Sequence, residues 1–208
     1  MSKITDIAPQ VNNPDRCSVY LDGKFAFGIS ELDLIKFSLK IGQVLTESQI
    51  NDVLHAVDET KCQDYANSLV CSRMYTEKEL RKKLTSKKFT TDVIETVISR
   101  LKEYGYVDDW NYAEMYINET KQKYGVFKLK QKLYEKGVTG SVIDELLSEF
   151  DNKETAVNQL RLKLRNKPLQ PDDIQKMLRF LAQKGFSYDE AHEAIRIYTE
   201  ETDGFCND

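Results

Sequence analysis

Three clusters of basic side chains are the residues here whose types and spacing could do chemistry, and that chemistry is the recognition of anions. The first holds Arg73, Lys78, Arg81, Lys82, Lys83, Lys87 and Lys88. Arg81, Lys82 and Lys83 fall between Leu80 and Leu84, two apolar positions of a helical pattern, so they project away from a core. Two readings fit them. They contact phosphates or acidic protein surfaces, or they form a solvated face braced by Glu77–Arg81 and Glu79–Lys83 pairs one turn apart. The second cluster is Lys121, Lys123, Lys128, Lys130, Lys132 and Lys136, opposed within its span by Glu135 alone and interleaved with Tyr124 and Phe127. Lysines among aromatics can hold single-stranded nucleic acid by charge and stacking. Tyr124 also matches Tyr75 in repeat position, which suits packing at a seam. The third cluster, Arg161, Lys163, Arg165 and Lys167, lies at a helix end, where cations complement the dipole, and alternates with Leu160, Leu162 and Leu164.

Other chemistry has little support. Asp108-Asp109 could hold a magnesium ion with phosphates, but it also opens a helix after Gly105, where aspartate caps. Cys17, Cys62, Cys71 and Cys206 show no CxxC spacing, and His55 and His192 do not complete a metal site with them. No phosphate-cradling glycine loop, GxSxG or HExxH is present. The expectation is a binding protein rather than an enzyme, without cofactor or metal.

The elements that must position these lysines come from a pattern written three times. Starting from Tyr75, Tyr124 and Asp172, apolar residues recur as Leu80, Leu84, Phe89, Ile94 and Ile98; as Leu129, Leu133, Val138, Ile143 and Leu147; and as Met177, Leu181, Phe186, Ala191 and Ile195. A lysine stands two places before each central residue: Lys87, Lys136 and Lys184. It reads as a helix-end charge. A period of roughly four dozen residues marks a helical repeat. Possible caps at Thr76–Glu79, Ser141–Asp144 and Ser187–Glu190, with Gly105, Gly125, Gly137 and Gly185 at helix ends, predict helices over 62–74, 76–86, 91–104, 109–123, 126–136, 141–150, 152–166, 172–184 and 188–200. Pro168 and Pro171 break the chain before the last pair. Ahead of these, Cys17–Phe27 reads as a hairpin around Asp22-Gly23. Tyr20, Phe25 and Phe27 would then share one side, and Val19, Leu21 and Ala26 the other. Ile4–Ala8 could add a strand, Ser30–Lys40 a helix, and Thr46–Gln49 opens another through about Val57.

The organisation expected is mainly α: an N-terminal unit of β-hairpin plus helices over 1–60, three-helix repeats over 61–107, 108–150 and 151–201, and a tail over 202–208. Net charge is −4 over 208 residues. The balance is −4 in residues 1–60, +2 in 61–150 and −2 in 151–208, so a polyanion contact belongs on the first two repeats. No apolar run is long enough to span a bilayer and the start lacks a secretory layout. A cytosolic protein that does not engage membranes is the expectation.

Together these stretches resemble the RecX family. The resemblance is carried by Arg100-Leu101 through Val138, including Gly105-Tyr-Val-Asp-Asp109, Tyr112-Ala113 and Lys132-Leu133-Tyr-Glu-Lys-Gly-Val138. Tyr75-Thr-Glu-Lys-Glu-Leu80-Arg-Lys-Lys-Leu84 and the hairpin Val19–Phe27 are also similar to the family. It implies three tandem three-helix repeats forming an elongated arc, with a small N-terminal β-hairpin-containing domain. It further implies a monomer, without cofactor, that lodges in the groove of a RecA filament on single-stranded DNA and blocks ATP hydrolysis and strand exchange. Direct, weak contact with single- or double-stranded DNA is a further expectation. The candidate contacts are Arg73, Arg81, Lys82, Lys83, Lys87, Lys88, Lys121, Lys123, Lys128, Lys130, Lys136, Arg161 and Arg165. A helical-repeat nucleic-acid binder acting without RecA is the alternative.

Overall fold

The structure, a computed structural model, describes residues 1–11, 13–148 and 150–204. Cys206 and the end of the expected tail lie outside them. The chain divides into two compact units, Met1–Met74 with Leu80–Val107 and Tyr75–Glu79 with Asp108–Asp208.

In the first unit, Asp22 and Gly23 take φ values of 50° and 79°, the backbone a two-residue hairpin turn requires. They join β2 (Asn13–Leu21) to β3 (Lys24–Ser30). With β1 (Ser2–Gln10) and the short β4 (Val44–Leu45), these form an antiparallel sheet of order β3-β2-β1-β4. The expected sides of the hairpin need correction. Tyr20 pairs with Phe25, but Val19 pairs with Phe27 across a register shift. Ala26 is the extra residue, and a one-residue slip turns later side chains to the opposite face. Phe27 therefore joins Val19, Ile29 and Cys17 in the core, while Phe25 remains 60% exposed.

The covering helix, α1 (Glu31–Lys36), is shorter than expected and starts on a Ser30 cap. It ends before Ser38, whose φ is 50°. The helices expected at 46–57 and 62–74 are one, α2 (Glu47–Val70), opened by a Thr46–Gln49 capping box. Asp58-Glu-Thr-Lys61 contains no glycine or proline to interrupt it. Val53 and Val57 on α2 pack against the sheet. Farther along, Arg100 of α4 (Thr91–Glu103) reaches Glu59 at 2.7 Å and Gln63 at 3.1 Å. α3 (Glu77–Ser86) buries Leu80 and Leu84, and α4 buries Val93, Ile94, Val97, Ile98 and Leu101.

His55 on α2 meets Asp92 on α4 at 2.6 Å. The Thr90 hydroxyl, and after it His55, hold the Asp92 carboxyl at about 2, below its ordinary 3.8. A carboxyl depressed in the folded state stabilises above its unfolded pKa and loses that effect as pH falls through the folded one. The melting-temperature gap between wild type and Asp92→Asn should therefore hold from neutral pH to about 4 and close towards about 2. Carbon NMR of the Asp92 carboxyl should show a midpoint near 2. A midpoint at 3.8 would remove this account.

The second unit holds α5 (Asp109–Thr120), α6 (Val126–Lys136), α7 (Gly140–Leu146), α8 (Lys153–Leu164), α9 (Ile174–Lys184) and α10 (Tyr188–Gly204). A 3-10 turn at Pro171–Asp173 precedes α9. Leu129, Leu133, Val138 and Ile143 centre one core, and Leu160, Met177, Leu181, Phe186 and Tyr198 another. Ser187 and Glu190 form the expected reciprocal cap. The start expected at Ser141 moves to Gly140, with Thr139 as the cap residue.

Equivalent positions of successive repeats bond to each other. The Thr76 hydroxyl donates to the Lys136 carbonyl at 2.7 Å, and the Gly125 N–H donates to the Lys184 carbonyl at 2.9 Å. The first turn of one repeat's middle helix thus sits on the last turn of the next repeat's middle helix. Gly137 and Gly185 end those last turns with φ near 90°. A Cβ on Gly137 would collide with the Lys78 side chain, and one on Gly185 with the Lys128 backbone. Gly125 begins α6 instead of ending a helix, and a Cβ there would strike the Gly185 backbone.

Candidate functional site

The three basic clusters separate once their partners are known. In the first unit, Arg81 meets Glu95 with two bonds, at 3.1 and 2.7 Å. Arg73 donates to the Met74 carbonyl, and the Lys87 ammonium lies 5.1 Å from the Tyr65 ring centre. Lys82, Lys83 and Lys88 are exposed, and their side chains make no hydrogen bond or ion pair with a described residue. The expected Glu79–Lys83 brace is absent, because Glu79 accepts from Lys136 at 2.6 Å instead. No acidic residue occurs from Leu80 to Thr91. The C-terminal half of α3 therefore keeps an uncompensated positive face.

In the second unit, Lys130 is paired with Asp144. Lys121 bonds Asn118, and Lys128 bonds the neutral Gln131 at 3.0 Å. Lys123 is exposed and has no charged partner among the described residues. The Glu79 carboxylate raises the Lys136 pKa above its ordinary 10.5, and the Lys136 ammonium also lies 5.9 Å from the Tyr112 ring. Lys78, from the first cluster, reaches the Glu135 carbonyl. Arg161 is held by Glu201 and Asn158. Lys163 lies over Phe180, and Arg165, exposed, ends α8 with φ 55°.

The recurring lysine is more than a helix-end charge. Lys87, Lys136 and Lys184 each lie within 6 Å of an aromatic ring centre, where a cation is attracted to the π face. Tyr124 is approached by both Lys132 and Lys184, at 5.0 and 5.6 Å, so its ring belongs to the packing at the seam. Tyr134, 51% exposed on α6, enters the sequence only as part of the Lys132–Val138 motif, with no functional expectation attached. The available signal was its place seven residues after Phe127, on the same helical face.

Asp108 and Asp109 have separate structural jobs. Asp108 accepts from the Trp110 and Asn111 N–H groups and caps α5. Asp109 accepts from Glu77 N–H at 2.8 Å and so caps α3, across the junction between repeats. Both carboxylates are engaged as helix caps, which displaces the magnesium reading.

Four family descriptions match in order: "Regulatory protein RecX N-terminal domain" over residues 2–46, then the first, second and third RecX three-helix domains over 69–101, 108–147 and 151–195. Regulatory protein RecX of Clostridium perfringens is 33% identical over 206 residues, covering 96% of this chain and 97% of that one. The chain belongs to the RecX family. The Clostridium acetobutylicum RecX is also 33% identical, over 207 residues, with 95% and 97% covered. A crystal structure of regulatory protein RecX matches with a TM-score of 0.72 at 30% identity, covering 95% of this chain and all of that one. RecX from Lactobacillus salivarius matches with 0.60 at 26% identity, over 69% of this chain and 97% of that one. The RecX fold expected from the sequence, mainly helical with three three-helix domains behind an antiparallel strand region, is therefore established. Among the described residues, no helix is long and apolar enough to cross a membrane.

Proposed function

We propose that this RecX-family chain is a negative modulator of RecA, acting by binding in the groove of the RecA filament on single-stranded DNA and reducing ATP hydrolysis and strand exchange. The observation that supports the reading is the basic face at the C-terminal end of α3 and the turn after it, where the Lys82, Lys83 and Lys88 side chains stand exposed and unpaired among the described residues, with no acid from Leu80 to Thr91. Such a face attracts acidic protein surfaces and phosphates alike. Lys121, Lys123, Lys128 and Arg165 are secondary contacts in this reading. Arg81, Lys130, Lys136 and Arg161 serve mainly in ion pairs. A chain of small repeats can touch several protomers, so weak contacts add through effective concentration.

RecA ATPase on single-stranded DNA tests this reading, using RecA from the same organism. Inhibition should appear at or below equimolar protein to filament protomers. No inhibition at a several-fold excess would reject it. Lys82→Glu with Lys83→Glu should weaken inhibition by about tenfold, since each reversal removes an attraction and adds a repulsion. Both sites are exposed, so stability should move by no more than about 0.5 kcal/mol per site. Equal inhibition by the double variant would leave this face merely solvated.

A further inference from the structure

We propose that two copies of this chain pair through their second units, the exposed ridge of α6 on one copy seating in the groove between α5 and α8 on the other. This goes beyond the regulatory reading, and it departs from the monomer that the family resemblance implies.

Two helix faces build the groove. Glu114, Ile117, Asn118 and Lys121 recur at helical spacing along α5, as Glu154, Asn158 and Leu162 do along α8. Gln159 ties the two helices together by donating to the Gln122 carbonyl at 2.8 Å. Between them lies a hollow of about 620 Å³, and Lys121 and Phe150 also line a smaller one of about 190 Å³ with Glu114 and Ile117. Ile117, Leu146 and Phe150 make part of the lining apolar, and Leu162 stands 74% exposed beside them. A polar-rimmed apolar hollow of this kind marks a contact site.

The charges identify what covers it. Glu114, Asp151 and Glu154 are exposed and make no ion pair with a described residue. Arg161 is neutralised by Glu201, which leaves Lys121 as the one cation against these three acids in the lining. The ridge of α6 is the converse. Leu129 and Leu133 are fully buried, which turns Phe127, Gln131 and Tyr134 outward. Lys123 beside the ridge has no charged partner among the described residues, and Lys128 bonds only the neutral Gln131. Phe127 and Tyr134 are seven residues apart, about 10.5 Å along the axis, and Glu114 to Lys121 spans the same length of α5. An aromatic, basic ridge thus meets an acidic, partly apolar groove of equal length, the complementarity that fixes partner and register. Lys121 on the groove and Lys123 beside the ridge are two residues apart in the chain, so the two patches adjoin. Copies related by a two-fold axis make the contact twice, and assembly closes at a pair.

Sedimentation velocity on the full chain at low salt tests this. Wild type should be mostly paired at roughly 100 µM, and added salt should shift it towards single copies. Phe127→Ala with Tyr134→Ala breaks the ridge, and Asp151→Lys with Glu154→Lys breaks the groove. Each double variant should weaken its own pairing about tenfold or more, with circular dichroism unchanged. Mixed in equal amounts, the two variants should form a mixed pair, because one intact ridge and one intact groove remain between them. Wild type that stays single at roughly 300 µM overturns the proposal. So does either variant pairing as wild type does, or a mixture that gains nothing over its components. If the groove variant loses RecA inhibition while wild type never pairs, the recombinase occupies the groove instead. RecA ATPase is read separately, so failure of pairing leaves the regulatory reading standing.

Discussion

Gly185→Ala should lower the stability of the second unit by about 3 kcal/mol or more, which for a chain of this size is a fall of roughly 6–12 °C in melting temperature. Two costs combine. The residue has φ of 91°, and a left-handed conformation costs a residue with a Cβ about 1–2 kcal/mol. The new methyl group would also press on the Lys128 amide nitrogen and Cα, which are backbone atoms that cannot swing aside. Relief requires α6 to lift from α9, with loss of the Phe127 N–H bond to the Gly185 carbonyl at 3.1 Å. Gly105→Ala is the control. Its φ is 72° but a Cβ there meets nothing within 4 Å, so only the conformational cost of about 1–2 kcal/mol should appear. Differential scanning calorimetry reads both. Equal losses in the two variants would show that the close approach at Gly185 carries no energy.

Thr76→Val should cost about 2–3 kcal/mol although it preserves shape. Thr76 is fully buried. Its hydroxyl donates to the Lys136 carbonyl at 2.7 Å and accepts from the Glu79 N–H at 3.2 Å. Valine leaves both backbone groups without that partner, and an unsatisfied buried polar group costs about 1–3 kcal/mol. The lost cap at the start of α3 is included in that figure. Thr76→Ser keeps the hydroxyl and should lose about 1 kcal/mol or less. Urea denaturation measures the difference, and amide exchange at Glu79 should accelerate in the valine variant alone. A valine variant as stable as the serine one would mean that water replaces both bonds.

Features governed by neighbours in the chain were legible in advance. Asp22-Gly23 announces its turn, the Thr46 and Ser187 caps announce helix starts, and the spacing of Leu80, Leu84, Leu129 and Leu133 announces the buried faces. Local signals misled where one residue or one missing breaker changed the geometry. Ala26 in its bulge moved Phe27 to the other face, and the uninterrupted run through Lys61 fused two helices. The candidate site was less legible, because its electrostatics depend on distant partners. Arg81 finds Glu95, Arg161 finds Glu201 and Lys136 finds Glu79, across separations of 14, 40 and 57 residues. Helical periodicity can place a lysine outside, but only the packed repeats decide which outward lysine is neutralised.

One consequence of the repeat junction concerns how many repeats the chain can have. Each observed junction needs a residue without a side chain at the end of the receiving helix, supplied by Gly137 and Gly185. The corresponding place in the first repeat is held by Lys88, in the same left-handed conformation with φ of 66°. Its side chain would occupy the space where another helix start must rest. A further repeat joined ahead of the first in the same manner would therefore first require Lys88→Gly. At that end of the array a lysine stands where the two observed junctions have glycine.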